Sequence, residues 1–276
     1  MKKTINFFVI ITAWHNGKEE KGMNFVYKKR KPSEEVEQFH RHMHNEYEIL
    51  YFLQGDTEYF IESTAYRLQR GDLLLVKPRT YHHVNRLSNA VYERFVITFS
   101  EEEISGGLFT SLKDKQGIYA VPQGGIIDRF FQTVIEEKQR FSPEEMEAFK
   151  RAGLTQILVQ LLHMPAKTHI LPKRAHPTLE AILKYVNEHP EADLSAEHLA
   201  AKYFVSVSWV VHAFRKNLGI SLMQYVNQKK VLYAQKLIQQ GVSPTEAALQ
   251  CGFDTYTTFY RQYKKTLNRL PKADKR

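Results

Sequence analysis

The stretch Gly252-Phe253-Asp254-Thr255-Tyr256-Thr257-Thr258-Phe259-Tyr260-Arg261-Gln262-Tyr263-Lys264-Lys265 reads as a tight turn followed by a short helix. Cys251-Gly252-Phe253 closes the preceding element, and the helix that follows ends in an aromatic residue and two basic ones. The same unit stands 49 positions earlier: Phe204-Val205 is a turn, Ser206 caps a helix, and the helix ends in Phe214-Arg215-Lys216. Each copy is preceded by its own short helix, over 195–203 with Ser195 as N-cap and after the Ser243-Pro244-Thr245-Glu246 capping box. Two short helices joined by a tight turn are what a helix-turn-helix requires, with the second helix in the DNA major groove. Between the copies, Ser221 caps a long helix over 222–240 that Gly241 stops. At ~1.5 Å per residue its 19 residues span about 28 Å, near the ~34 Å of one DNA turn.

Charge follows the same division. The first 163 residues hold 22 Lys+Arg and 22 Asp+Glu, whereas the last 113 hold 17 and 8 and so carry the whole formal charge of +9. A basic domain beside a neutral one points to a polyanionic partner, nucleic acid first. The 43% hydrophobic and 25% charged fractions are those of a globular chain. The single cysteine, Cys251, excludes an intrachain disulfide and fits a cytoplasmic protein; it reads as a small buried hydrophobe. Met1-Lys2-Lys3 and the apolar run 5–13 have the outline of a signal peptide. Asn6 interrupts the run, however, and Trp14-His15 follow where small residues belong, so it reads as a first strand. No segment has the apolar length of a membrane span, and no membrane partner is expected.

Upstream, residues 24–99 read as short strands. Tyr47-Glu48-Ile49-Leu50-Tyr51-Phe52-Leu53, the turn Gln54-Gly55-Asp56, the strand 57–61, the turn Arg70-Gly71-Asp72, the run 73–76 and the strand 92–99 predict an antiparallel barrel or sandwich. Residues 100–122 read as irregular. Helical periodicity takes over from 126 to 163, with Ile127, Phe130, Phe131 and Val134 on one face, suited to a dimer contact or to packing on the barrel. A second helix opens at Ser142-Pro143. Residues 164–177, with Pro165, Pro172 and Pro177, read as a linker. The organisation is therefore α+β and multidomain: 1–163 a β-barrel domain with trailing helices, 178–276 an all-α domain of two helix-turn-helix units joined by a long helix.

The helical half resembles the AraC/XylS family of transcription regulators over about 178–270. The residues that carry the likeness are Leu199-Ala200, Ser206, Phe214-Arg215-Lys216, Gly219, Tyr225, Ala234, Ala248, Gly252-Phe253, Phe259, Arg261, Lys264-Lys265 and Pro271. The sequence departs from the pattern at Asn268, where Gly is usual, at Asp274-Lys275, where Tyr-Arg is usual, and at His212, where Arg is usual. The resemblance implies double-stranded DNA as partner. It places Ser208, Val211 and His212, then Tyr256, Thr257, Tyr260 and Arg261, toward the groove, with Arg215, Lys216, Lys264 and Lys265 toward phosphates. Trp209, Val210, Phe214, Phe259 and Tyr263 read as core. Arg261 is the one groove-facing residue able to grip guanine at two atoms, so the second unit is expected to supply more of the hydrogen-bonded readout.

The other notable cluster is His40-Arg41-His42-Met43-His44-Asn45-Glu46-Tyr47-Glu48, with Gly55, Gly71-Asp72 and His82-His83 downstream. In a strand, His42, His44 and Glu48 share parity and so a face. The spacing His42, His44, Glu48, Gly55, then Gly71 and His82, resembles the cupin barrel motif, with Arg79 replacing a glycine. Three imidazoles and a carboxylate suit a transition metal, and equally a small polar ligand. The resemblance to AraC-type regulators implies an effector pocket without metal, formed by His42, His44, Glu48 and His82, with no cofactor. The resulting expectation is a regulator, of the activator type usual in the family, that answers to a small-molecule effector such as a sugar, forms a homodimer and engages RNA polymerase. The competing expectation is a metal-dependent cupin enzyme fused to a DNA-binding module.

Overall fold

A computed structural model describes residues 23–30, 41–104, 107–113, 115–137, 140–167 and 176–275. The expected strand at 5–13, His40 and most of the 164–177 stretch lie outside the described residues. The described chain forms two compact units that part between His176 and Pro177.

Among the described residues the first unit holds eight strands: β1 (Asn24–Arg30), β2 (Tyr47–Gln54), β3 (Thr57–Ile61), β4 (Thr64–Arg67), β5 (Asp72–Val76), β6 (His82–Arg86), β7 (Tyr92–Phe99) and β8 (Gly117–Ala120). They form an antiparallel five-stranded sheet, β1-β7-β2-β5-β8, and a three-stranded sheet, β4-β3-β6. Strand β2 reads as an almost unbroken apolar run because both of its faces are covered. Tyr47, Ile49, Tyr51 and Leu53 pack against α2 (Ile126–Glu136) and α3 (Pro143–His163). Leu50 and Phe52 face inward, packing with Tyr59, Ile61, Leu74, Val76 and Tyr92 of both sheets. This inner layer makes the pair of sheets a barrel-like domain, and Glu48 enters it on the same parity as Leu50.

The helices are fastened to the outer face by stacking and by a buried hydrogen bond. The Tyr51 ring lies 4.4 Å from Phe131, and the Tyr51 hydroxyl donates to Asp128 Oδ1 at 2.6 Å, while the Gly124 amide donates to Oδ2 at 2.7 Å. Ile127, Phe130, Phe131 and Val134 are all buried in that core, so of their two expected uses packing on the barrel is the one observed. The described residues within 100–122, read as irregular from sequence, hold α1 (Leu108–Leu112) and β8. Both are only four or five residues long, too short to show a period, and β8 gains its form from pairing with β5. Lys167, inside the stretch read as linker, is tied to the sheet: its amide donates to the Ile118 carbonyl at 2.7 Å and its ammonium pairs with Asp72.

The second unit is helical: α4 (Pro177–Glu188), α5 (Ala196–Lys202), α6 (Val207–Leu218), α7 (Leu222–Gln239), α8 (Pro244–Gln250) and α9 (Tyr256–Leu267). Ser195, Ser206, Ser221, Ser243 and Thr255 each cap the following helix through the side-chain oxygen. The expected box at Ser243 is made on one side, since Glu246 Oε1 accepts from Gln250. Asn268 ends α9 in the left-handed conformation that Gly219 adopts at the end of α6, with φ of 51° and 72°. Asn is among the few residues that tolerate it, which accounts for that departure from the family pattern. No helix among the described residues is long and apolar enough to cross a membrane.

Candidate functional site

Glu48 is the second residue of β2, His82 opens β6, and His44 lies in the segment leading into β2. His42 forms an isolated bridge with His82, their backbone N–H groups donating to each other's carbonyls at 3.2 and 3.0 Å. The topology thus brings all four predicted residues together, with donor atoms within 4.8 Å of one another. Glu48 Oε2 lies 3.4 Å from His44 Nε2 and 3.6 Å from His82 Nε2. Its other oxygen accepts from the Tyr59 hydroxyl at 2.9 Å. His44, Glu48 and His82 are buried and His42 is exposed.

The second ring nitrogen of each buried histidine faces a backbone carbonyl: His44 Nδ1 is 3.0 Å from the Glu46 oxygen and His82 Nδ1 is 2.8 Å from that of Thr80. A carbonyl can only accept, so both Nδ1 atoms carry hydrogen and both Nε2 atoms turn toward Glu48. Burial acts to raise the Glu48 pKa, but the neighbouring His82 and His44 hold the carboxyl well below the usual range. Burial likewise opposes the charge on His44, and hydrogen bonding to Glu46 and Glu48 overrides it, lifting His44 to about 10. Burial and the Glu48 charge push the Tyr59 hydroxyl well up, so it stays a donor. Three imidazoles and a carboxylate at this separation fit the nitrogen-rich donor set of a transition metal.

Sequence reasoning missed Tyr59, Arg86, Tyr92 and Arg94, which also line the inward side. Arg86 and Arg94 are buried, with guanidinium carbons 5.9 and 4.2 Å from the Tyr92 ring. Parity was the available signal, since Arg86 shares the face of His82 and Val84 on β6. His83 points the other way, stacked 4.4 Å from Phe60.

In the helical unit every predicted DNA-facing side chain is exposed: Ser208, Val211, His212, Arg215 and Lys216 on α6, and Tyr256, Thr257, Tyr260, Arg261, Lys264 and Lys265 on α9. The opposite faces supply core residues: Val210 and Phe214 on α6, Phe259 and Tyr263 on α9. Trp209, expected in the core, is only half-buried. The Phe214 and Tyr225 rings meet edge-on at 5.5 Å, seating α6 on α7. Phe259 and Tyr263 seat α9 against Val231, Ala234 and Ile238 of α7 and against buried Cys251. Gly252 has φ of +65°, and a Cβ there would lie 3.1 Å from Lys230 Nζ, whose ammonium donates to the Gly252 carbonyl at 2.9 Å. The left-handed backbone and the nearby Lys230 ammonium both favour glycine at this position of the Gly-Phe pair.

A sheet-rich domain with a buried polar centre, joined in one chain to two helix-turn-helix units, defines a DNA-binding transcription regulator that carries its own ligand-binding domain. Residues 33–162 match the family described as AraC-like ligand binding domain, and residues 199–276 match a helix-turn-helix domain family. The chain belongs to the AraC family of transcription regulators. It is 22% identical to the HTH-type transcriptional regulator YbfI of Bacillus subtilis, over 79% of this chain and 80% of that protein. To the HTH-type transcriptional activator RhaR of Cronobacter sakazakii it is 19% identical, over 80% and 81%. Among solved structures it is similar to ToxT of Vibrio cholerae, with 15% identity over 92% of this chain and 97% of that one, and a TM-score of 0.40.

Proposed function

We propose that this regulator is an activator switched by a small polar effector of the sugar class, bound in the barrel at His42, His44, Glu48 and His82. The observation that carries the reading is the convergence of two buried imidazoles and the Tyr59 hydroxyl on the two oxygens of Glu48. Polar groups converging within an apolar barrel are what a small-ligand site needs. The activator direction is supported by relatives named as activators, RhaR and the RhaS of Pectobacterium carotovorum, at 19% and 23% identity. We assign residues 178–276 to DNA binding, through the exposed residues of α6 and α9 named above, and 164–177 to the linker. The protein acts as a homodimer that engages RNA polymerase. Exposed Ile126 and Ile135 on α2 and Val159 on α3 support self-association. It is read as a regulator and not as an enzyme because the proteins it is similar to along most of its length are named as regulators.

Effector binding in the barrel shifts the equilibrium between DNA-bound arrangements. The test is a reporter assay with the double variant His44→Ala/Glu48→Ala, beside its DNA affinity. The expected result is loss of effector response with DNA affinity retained; a normal response places the effector elsewhere. DNA affinity should be salt-dependent, with a log–log slope of roughly −5 for about six neutralised phosphates.

A further inference from the structure

We propose that the effector carries an anionic group, a carboxylate or a phosphate, bound inside the barrel by Arg86 and Thr57. The inference rests on the reading of the barrel as the effector pocket. It adds the chemical class, an acid or phosphate ester of a sugar, with hydroxyls at the histidine–glutamate tetrad and the charge at Arg86.

Two buried donors lack an acceptor. Arg86 of β6 and Thr57 of β3 are direct cross-strand partners. Thr57 shares parity with Tyr59 and Ile61, and Arg86 with Val84, all in the inner layer, so both side chains lie on the inward side, with Cβ atoms about 5 Å apart. Arg86 is 7% exposed and Thr57 0%, yet Arg86 Nη1 and Thr57 Oγ1 have no hydrogen-bond partner. The guanidinium donates from Nη2 to the Ala90 carbonyl in the β6–β7 turn at 3.1 Å, and has no carboxylate partner among the described residues. A buried charge without a counter-ion is costly, and an orphaned buried donor beside it calls for a partner from outside the chain.

The charge around the pair has one sign. Inward positions of the strands carry Lys28, Arg30, Arg86 and Arg94, against Glu48 and Asp72. Both carboxylates are engaged elsewhere, Glu48 by His44, His82 and Tyr59, and Asp72 by Lys167. Burial raises the pKa of the Tyr92 hydroxyl, while the charges of Arg94, Arg86 and Arg30 all act to lower it, which places three guanidinium groups around one ring. A guanidinium fork beside a hydroxyl is a donor set for carboxylate or phosphate, and a charge-assisted bond is stronger than the one to the neutral Ala90 carbonyl that an incoming anion replaces. His82 and Arg86 stand four residues apart on β6, ~13 Å at ~3.3 Å per residue, so a ligand that meets both is elongated with its acid group at one end.

The test has two arms, both on the full-length protein. Crystals soaked in selenate should show an anomalous peak within hydrogen-bond distance of Arg86 Nη1 and Thr57 Oγ1. Calorimetric titration at fixed ionic strength compares glucose and galactose with gluconate, galacturonate and the two 6-phosphates, in the wild type and in Arg86→Met. A charged compound should bind the wild type at least tenfold more tightly than its neutral parent, and Arg86→Met should erase that difference; whether the acid or the phosphate binds identifies the group. Anions held by the basic helical unit contribute equally to both proteins and cancel. Without ligand, the urea midpoint of Arg86→Met should equal or exceed that of the wild type, because the variant removes a buried uncompensated charge, whereas a structural arginine would lower it. The absence of a selenate peak at these atoms, or a preference for charged compounds that Arg86→Met retains, overturns the proposal. If neutral sugars bind both proteins alike and His44→Ala/Glu48→Ala abolishes their binding, the pocket reading stands and the anionic group alone falls.

Discussion

Gly153 of α3 lies flat against the ring of Phe130 of α2: a Cβ at position 153 would stand 2.0 Å from Phe130 Cε2. The glycine lets the two helices approach closely enough for Phe130 to reach the sheet core. Gly153→Ala gains about 1 kcal/mol of helix propensity, whereas overpacking a filled core costs about 1–3 kcal/mol. Relaxation around a clash this deep is costly, so the variant should be net destabilised. Urea unfolding followed by tyrosine near-UV circular dichroism checks this, and adding Phe130→Leu should recover part of the loss.

His83 gives the barrel a pH dependence. Burial, followed by the charges of Arg41 and His82, lowers its pKa to about 4 from an ordinary 6.5. The unfolded chain therefore takes up a proton between those values that the folded chain refuses. Stability rises with pH through that window, and the penalty is absent above it and complete below it. The ceiling is roughly 3 kcal/mol at ~1.4 kcal/mol per pH unit. Urea midpoints at pH 4.5 and 7 should differ less in His83→Gln than in the wild type; equal differences would show that His83 titrates normally.

Asp274, one of the departures from the family pattern, is a buried hub. It accepts from the Tyr263 hydroxyl at 2.5 Å and from Gln235 Nε2 at 3.4 Å, and pairs with Arg269 at 2.8 Å. Asp274→Ala should destabilise the helical unit by about 3 kcal/mol, the low end for stranding a buried charge, and Asp274→Asn by less. In a Trp14→Phe background, the fluorescence of Trp209 during urea unfolding reports on this unit.

Phe204 and Gly252 hold the same place in the two helix-turn-helix turns, with φ of 55° and 65°. The phenylalanine is 95% exposed and packs nothing that would offset a left-handed backbone. Phe204→Gly should therefore stabilise the unit by about 1 kcal/mol, the low end of such strain. A lower urea midpoint in the variant would refute the strain.

Arg261 is expected to read bases and Lys265 to hold phosphate. Losing a bidentate base contact costs about 1–3 kcal/mol of discrimination. In randomised-site selection, Arg261→Ala should relax the consensus in one half of the site, whereas Lys265→Ala should weaken all sequences alike. An unchanged consensus in Arg261→Ala would assign that arginine to the backbone.

Much of the helical unit is legible in the chain because its determinants are local. Ser206, Ser221 and Thr255 cap helices whose amides lie three residues away, and the repeat of aromatic-basic-basic endings marks equivalent helices. The β-domain is less legible. Strands β4 and β8 and helix α1 are short, and their form depends on partners far along the sequence. The polar lining was half visible: His42, His44 and Glu48 lie within seven residues, while Tyr59, Arg86 and Arg94 look like ordinary strand residues until two sheets face each other.

The sequence alone determined the division into a neutral β-domain and a basic helical one, the placing of both helix-turn-helix units, and the residue types of the tetrad. Caps, periodicity and charge act over a few residues and can be read without a partner. Only the tertiary structure decided which atoms of the tetrad meet, which ring nitrogens the Glu46 and Thr80 carbonyls engage, and that Tyr59 takes the remaining oxygen of Glu48. Those relations join strands separated by up to about forty positions, and sheet register, not local preference, sets them.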